Sequence, residues 1–208
     1  MFETVKQTYE FLSRGGPVMA ILAVASVLCL ALIFERWHSL RRRKIFPVRF
    51  LSEIENLLRE GKISETLTLC RTSDLGVARL ISTGLALKDA PSQESKEELE
   101  GAGRREASIL ERNLDFLGTL AAAGPLVGLL GTVIGMIRTF GVVALTGVGD
   151  PLKLSGGIAE ALLCTVGGLV VGIPALVAQQ YFLHKVDRFM IEMEEFVTRV
   201  MKLIRRGV

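Results

Sequence analysis

The stretch that decides the fold is residues 116–137, "FLGTLAAAGPLVGLLGTVIGMI", which contains no charged side chain. A helix of this length extends about 33 Å at ~1.5 Å per residue, enough to cross the ~30 Å hydrocarbon core of a bilayer. After Arg138 the apolar character resumes as far as Gly149. Half of the chain is hydrophobic and its mean hydropathy is +0.42, a balance that indicates a membrane protein.

Two further apolar runs have the length of a membrane span. Residues 15–34, "GGPVMAILAVASVLCLALIF", contain no charge, and another run extends from Ala161 to His184. The first run is longer than the apolar part of a signal peptide, and "FERWHSL" after it offers no cleavage site. The sequence therefore predicts an all-α membrane protein with three transmembrane helices, at 15–36, 114–146 and 154–184.

Basic residues predict the orientation of these spans. They cluster directly after the first span, at Arg36, Arg41, Arg42, Arg43, Lys44 and Arg49. Because cytoplasmic flanks carry the excess of Lys and Arg, this side is predicted to be cytoplasmic, which gives an N-out, C-in topology. The remaining segments are then a periplasmic N-terminus (1–14), a cytoplasmic helical segment (37–113), a periplasmic loop (147–153) and a cytoplasmic C-terminal helix (185–208).

The cytoplasmic residues show helical periodicity. The apolar positions that recur at this spacing are Leu57, Leu58, Ile63, Leu67, Val77, Leu80, Ile81 and Leu85, and then Val186, Phe189, Met190, Met193, Phe196, Val197, Val200 and Leu203. After "APSQ" at 90–93, with Ser92 or Ser95 as N-cap, a polar helix is predicted to run straight into the second span. Long helices are therefore expected to extend into the cytoplasm.

Small residues form a ridge along both later spans. In the second span they are Gly124, Gly128, Gly131, Gly135 and Thr139; in the third they are Gly157, Ala161, Cys164, Gly168, Gly172 and Ala175. Such spacing lets membrane helices approach closely, because lipid removes the usual hydrophobic drive for association. We expect these spans to pack tightly within and between subunits. The cysteines Cys29, Cys70 and Cys164 are interpreted as small apolar filler.

The short outer loop makes spans two and three an antiparallel hairpin. Residues at equal depth then have numbers that add up to about 300. The resulting levels pair Pro125 with Pro174, Thr132 with Thr165, and Arg138 with Glu160. The prolines are expected to kink their helices, since each removes a backbone hydrogen bond.

Glu160 is predicted to lie within the outer leaflet, about 9 Å along the third span from residue 154. A charge at this depth is costly and by default a candidate for function. Two alternatives remain open from the residues alone. Glu160 forms a salt bridge with Arg138, its charge partner by depth, or it faces a water-filled interior and takes up protons.

Two sequence blocks resemble a known family. "AAAGPLVGLLGTVIGMIRTF" at 121–140 and "GGIAEALLCTVGGLVVGIPALV" at 156–177 resemble the MotA/TolQ/ExbB proton-channel family, and within it most closely ExbB and TolQ. The resemblance implies a homo-oligomer, expected to be a pentamer, in the bacterial inner membrane. Its spans two and three would surround single-span partner helices like those of ExbD or TolR, whose aspartate takes up the proton.

By the same resemblance, proton flow would drive work on a TonB- or TolA-like periplasmic protein, for outer-membrane transport or envelope integrity. Thr132 and Thr165 become hydroxyls facing the pore near the partner's aspartate, and Glu160 becomes an acid of the pore wall. Arg138 is not carried over from the family. The shared blocks leave the ExbB-like and TolQ-like pathways open.

Other functions fit the residues less well. A passive membrane scaffold for a periplasmic machine is the alternative from a different class. An enzyme is not expected, because His38 and His184 lie at membrane edges and no Ser–His pairing accompanies Glu160. A flagellar stator would carry four spans and a larger inner domain. No cofactor, metal or nucleic acid is expected; the basic cluster at 41–44 is accounted for by topology and membrane lipid.

Overall fold

The fold is described by a computed structural model, which covers residues 16–87, 91–146 and 151–205. Every regular element within these ranges is a helix. The helices are α1 (Gly16–Ser39), α2 (Arg42–Ile45), α3 (Val48–Arg59), α4 (Ile63–Arg71), α5 (Gly76–Ala86), α6 (Ser92–Glu111), α7 (Leu114–Thr146) and α8 (Pro151–Arg205). The predicted N-terminal segment 1–14, residue 15, residues 147–150 of the predicted outer loop and residues 206–208 lie outside the described ranges.

Three of these helices are long and apolar enough to cross a membrane. The candidate spans are Gly16–Ser39, Leu114–Leu145 and Leu154–Ile204. This confirms the prediction of an all-α membrane protein with three transmembrane helices. Helix α8 begins at Pro151, because proline's fixed φ angle suits the first position of a helix, and the candidate span within it begins at Leu154.

The chain divides into two compact units, which are described separately. The membrane unit comprises the described residues up to Glu35 together with Leu114–Gln180. The polar unit comprises Arg36–Asn113 and the described residues from Tyr181 onward. Each predicted apolar span thus contributes most of its length to the membrane unit.

In the membrane unit, the start of α1 packs against both other spans. Met19 and Leu22 are buried, with 4% and 2% of their surface exposed. A Cβ atom placed on Gly131 of α7 would lie 2.9 Å from Cγ1 of Val18, and one on Gly167 of α8 would lie 3.1 Å from Sδ of Met19. Three helices therefore share this core, with the small residues of α7 and α8 accommodating α1.

In the polar unit, helices α3 to α6 each pack against the next one. The predicted apolar positions of α5 are buried, namely Val77, Leu80, Ile81 and Leu85. The same holds for the apolar positions of α8 at Val186, Phe189, Met193, Phe196, Val197 and Val200, whereas Met190 and Leu203 are only partly covered. Helical periodicity therefore identified most of this core.

Helix α4 buries a different face from the predicted one. Thr66 and Cys70 are covered, with 0% and 1% exposed, while Ile63 and Leu67 are only half-buried. The hydroxyl of Thr66 donates to the carbonyl of Lys62 at 3.0 Å, so its burial leaves no unpaired polar group. Burial raises the pKa of the Cys70 thiol to about 11. All three cysteines are free and buried, in agreement with their interpretation as filler.

The predicted continuous helix from the polar segment into the second span is wrong. Helix α6 ends at Glu111 and α7 begins at Leu114, with a two-residue turn at Arg112 and Asn113. Asparagine is a weak helix former because its side chain competes for backbone hydrogen bonds.

The predicted N-caps of the polar helix are also wrong, since Pro91 occupies the cap position of α6. Ser95 is buried instead, and its hydroxyl donates to the carbonyl of Leu87 at 3.1 Å. Proline's fixed φ angle suits the start of a helix, so α6 begins without a side-chain cap. The serine serves to tie α6 to the end of α5.

An ion pair joins α5 to α6 within the polar unit. Nε of Arg79 donates to Oε1 of Glu106 at 2.5 Å, and its Nη2 donates to Oε2 at 2.6 Å. Glu106 is buried, whereas the Arg79 side chain is 44% exposed. A Cβ atom on Gly76 would lie 2.8 Å from Oε2 of Glu106. Hydrogen bonding to Glu106 raises the pKa of Arg79.

Glu106→Gln is expected to lower the free energy of unfolding by about 2 kcal/mol, between the values for exposed and fully buried pairs. The reason is that a neutral amide leaves the guanidinium of Arg79 without its charged partner. Chemical denaturation of the purified protein, followed by circular dichroism, measures the change. Glu100→Gln is the matched control, because Glu100 lies on the same helix in an exposed pair with Arg104 at 4.0 Å. Equal effects of the two substitutions would contradict the prediction.

Candidate functional site: a hydroxyl pair and an outer cavity in the membrane unit

Glycines bring α7 and α8 into backbone contact. A Cβ atom on Gly128 would lie 2.6 Å from the carbonyl oxygen of Cys164 and 3.1 Å from Cα of Gly168. One on Gly124 would lie 3.1 Å from the carbonyl oxygen of Gly168, and one on Gly168 would lie 2.5 Å from that of Gly124. Because the opposing atoms are backbone, no side chain can move aside to make room. The two helices approach this closely only while these positions have no side chain.

The same close packing continues toward the outer end of the hairpin. A Cβ atom on Gly131 would lie 2.6 Å from Cβ of Cys164, and one on Gly135 would lie 2.8 Å from Cβ of Ala161. At the other end, a Cβ atom on Gly172 would lie 2.7 Å from Cδ of Pro125.

These contacts follow the antiparallel pairing that the sequence predicts, except at the prolines. Pro125 packs against Gly172, whereas the side chain of Pro174 is exposed. Helix α7 continues through Pro125, and α8 continues through Pro174.

Thr132 and Thr165 meet in the middle of this interface. Their hydroxyl groups are in direct hydrogen-bond contact. The Thr132 hydroxyl also lies 3.1 Å from the carbonyl oxygen of Ala161 on α8, and 3.3 Å from that of Gly128 on its own helix. Both threonines are half-buried. The predicted common level of the two hydroxyls is therefore correct, and the distance between them is short enough for a hydrogen bond.

The two hydroxyl protons of this pair can be arranged in two ways. Each hydroxyl has one proton to donate and lone pairs to accept with. If Thr132 donates to the Ala161 carbonyl, Thr165 donates to Thr132 and presents only lone pairs to a third group. If Thr132 instead donates to Thr165, the proton of Thr165 is free to be donated. The pair can therefore serve a protonated acid in one arrangement and a carboxylate in the other.

A cavity of about 130 Å³ lies beside the start of α1, the second half of α7 and the first part of α8. Its lining residues come from α1 (Gly16, Pro17, Val18), from α7 (Gly131, Ile134, Gly135, Arg138, Thr139) and from α8 (Gly157, Glu160, Ala161, Cys164). The lining is mainly apolar, with polar groups at Arg138, Thr139 and Glu160, and its volume is large enough for a few water molecules. Water at these polar groups would solvate a carboxylate within a span.

Arg138 and Glu160 both line this cavity, and their side chains are exposed. Both are described residues, and no ion pair joins them. The structure thus places both residues at one cavity, and the salt bridge, one of the two alternatives that the sequence left open, is not formed between them. Arg138 instead extends toward the start of α1, where its Nη1 lies 4.0 Å from the Cβ position of Gly16.

Sequence reasoning did not identify two components of the site. One is the carbonyl of Ala161, which accepts from Thr132; the other is the start of α1, which closes the cavity. The sequence placed Ala161 in the small-residue ridge, but it did not indicate that the Ala161 carbonyl accepts a hydrogen bond. The GlyProVal run at 16–18 showed only the start of a span.

Comparison with known proteins yields one family match. A sequence profile of the MotA/TolQ/ExbB proton channel family matches residues 72–195. These residues contain the hydroxyl pair and most of the cavity lining. They also include part of the polar unit, from α5 onward.

Individual relatives match over most of their length. Biopolymer transport protein ExbB-like 3 of Synechocystis sp. is 34% identical, over 81% of this chain and 81% of that protein. The Tol-Pal system protein TolQ of Pseudomonas aeruginosa is 30% identical, over 92% of this chain and 87% of TolQ. Biopolymer transport protein ExbB of Salmonella typhimurium is 29% identical, over 92% and 82% of the two chains.

Proposed function

This chain belongs to the MotA/TolQ/ExbB proton channel family, and from that premise we propose how it carries out proton-driven work. It is a proton-channel subunit of an energy-transducing complex in the bacterial inner membrane, and it assembles as a homopentamer. Its partner is an ExbD- or TolR-like single-span protein. The work passes to a TonB- or TolA-like periplasmic protein and supports outer-membrane transport or envelope integrity.

The contact between the Thr132 and Thr165 hydroxyls carries this proposal. A partner's aspartate beside the pair would alternate between carboxylate and carboxylic acid as protons pass. Thr165 donates its proton to the carboxylate while Thr132 donates to Thr165. When the acid is protonated, Thr132 donates to the Ala161 carbonyl and Thr165 accepts from the acid. Both states of the aspartate then keep a hydrogen bond, which lowers the cost of holding it away from water.

We assign Glu160 to the outer end of this proton path. It lines the cavity, its side chain is exposed, and no ion pair joins it to Arg138. The small residues Gly124, Gly128, Gly131, Gly135, Gly168 and Gly172 are assigned the role of holding the wall together. The path then runs from the outer cavity to the hydroxyl pair, along the interface of α7 and α8.

Proton uptake into vesicles tests the proposed function. The chain is reconstituted alone, with the single-span partner, and with a partner whose intramembrane aspartate is replaced by asparagine. A gradient across the membrane is applied, and a trapped pH dye reports the flux. We expect flux only in the second case. If the chain were only a passive scaffold, no flux would be seen in any of the three cases, and periplasmic work would be unchanged when the gradient is collapsed. Either result would contradict the proposal.

A further inference from the structure

An aromatic and cationic cluster lies on the polar unit. The rings of Trp37 and Tyr181 are stacked, with centroids 6.1 Å apart and planes inclined by 19°. Nζ of Lys185 lies 5.8 Å from the Trp37 centroid and 5.7 Å from the Tyr181 centroid. The two rings remain 54% and 45% exposed. We call these three residues the aromatic–lysine cluster.

The cluster includes a residue near the C-terminal end of α1, which is a candidate membrane span. Trp37 is two residues before the end of α1, at Ser39, and exposed cations follow at Arg41, Arg43 and Lys44. None of these three cations forms an ion pair with another described residue. Trp and Tyr side chains favour the headgroup level of a bilayer, with their rings near the acyl chains and their polar atoms in the interface.

An ion pair holds the cations near the cluster. Nη2 of Arg42 lies 3.0 Å from Oε2 of Glu192, which is two helical turns beyond Lys185 on α8. Seven residues along a helix correspond to about 10 Å, so this ion pair holds the basic segment 41–43 about that far along α8 from Lys185. Arg42 neutralises Glu192, and its exposed neighbours remain available for an anion.

We propose that the aromatic–lysine cluster, with Arg41 and Arg43, binds the phosphodiester headgroup of an anionic phospholipid. The ammonium of Lys185 rests over two rings and can direct its N–H donors to a phosphate, and the guanidinium groups suit phosphate oxygens. Anionic lipid is attracted by basic residues beside a span. The inference depends on the membrane position of α1 and is independent of the proposed proton path.

Trp37 is the single tryptophan of the chain, so its fluorescence reports this site alone. The full chain is reconstituted in vesicles containing brominated phosphatidylglycerol or brominated phosphatidylcholine, whose bromine atoms quench nearby tryptophan. The ratio of the two quenching curves gives the relative binding of the two lipids at Trp37. We expect a preference for phosphatidylglycerol that falls about fivefold in Lys185→Gln, the change expected for the loss of one basic residue from the site.

Lys202→Gln is the matched control, because Lys202 is an exposed lysine on the same helix, further from the span. It should keep the wild-type preference. An equal loss in both variants would show an effect of net charge and would overturn the assigned site. Equal quenching by both lipids in the wild type would also overturn it. Absence of quenching by either lipid would show that protein covers Trp37, and would overturn it as well.

Discussion

Thr132→Val is expected to lower partner-dependent proton flux by about 10- to 100-fold, since leaving the Thr165 hydroxyl without its partner inside the helix interface costs about 1–3 kcal/mol. Valine matches threonine in shape but cannot donate to Ala161 or Thr165, nor accept from Thr165. The Thr165 hydroxyl then loses the partner that fixes the direction of its proton and lone pairs. The vesicle assay with the single-span partner measures the change.

Two further variants separate hydroxyl chemistry from packing. Thr132→Ser keeps the hydroxyl and should retain most of the flux. Thr119→Val removes a hydroxyl from the same helix that donates only to its own Asp115 carbonyl, at 2.9 Å, and should leave the flux unchanged. A Thr132→Ser variant as inactive as Thr132→Val would show that shape, and not hydrogen bonding, matters at this position. Thr165→Val should reproduce the loss, because either hydroxyl alone cannot form the pair.

Gly128→Ala is expected to destabilise the membrane unit by about 2 kcal/mol, even though alanine is the better helix former. The added Cβ atom would lie 2.6 Å from the carbonyl oxygen of Cys164, which belongs to the backbone. Overpacking of this kind costs about 1–3 kcal/mol, and alanine's propensity returns up to about 1 kcal/mol. Thermal unfolding in detergent measures the shift, and Gly128→Leu should lose assembled protein altogether.

The chain offers two matched controls for this substitution. Gly141 on α7 and Gly156 on α8 have nothing within 4 Å of their Cβ positions. Gly141→Ala and Gly156→Ala should therefore be neutral or slightly stabilising, through helix propensity alone. A Gly128→Ala variant as stable as either control would contradict the backbone contact between α7 and α8.

The level of the hydroxyl pair could be predicted because an antiparallel hairpin with a short loop leaves little freedom in register. Two helices of equal rise bring residues together in fixed pairs, and Thr132 with Thr165 is such a pair. The glycines indicated which faces of the two helices meet, since only those faces allow the backbones to approach. Register and face together were enough for this contact.

The relation of Arg138 to Glu160 could not be predicted in the same way. Equal depth places two side chains at one level, but the long arginine side chain can extend in several directions from it. In the structure the arginine side chain extends toward the start of α1, a helix that the depth pairing of spans two and three does not take into account. The third helix of the core therefore decides that the two charges share a cavity and form no ion pair.

By itself the sequence determined the three spans, the all-helical class, most of the polar core and the pairing of the two threonines. These follow from apolar run length and helical periodicity, which act locally along the chain. Only the tertiary structure decided the role of the Ala161 carbonyl, the burial of Thr66 and Cys70, and the cavity closed by α1. Each depends on helix rotation and on backbone acceptors, which side-chain pattern does not encode.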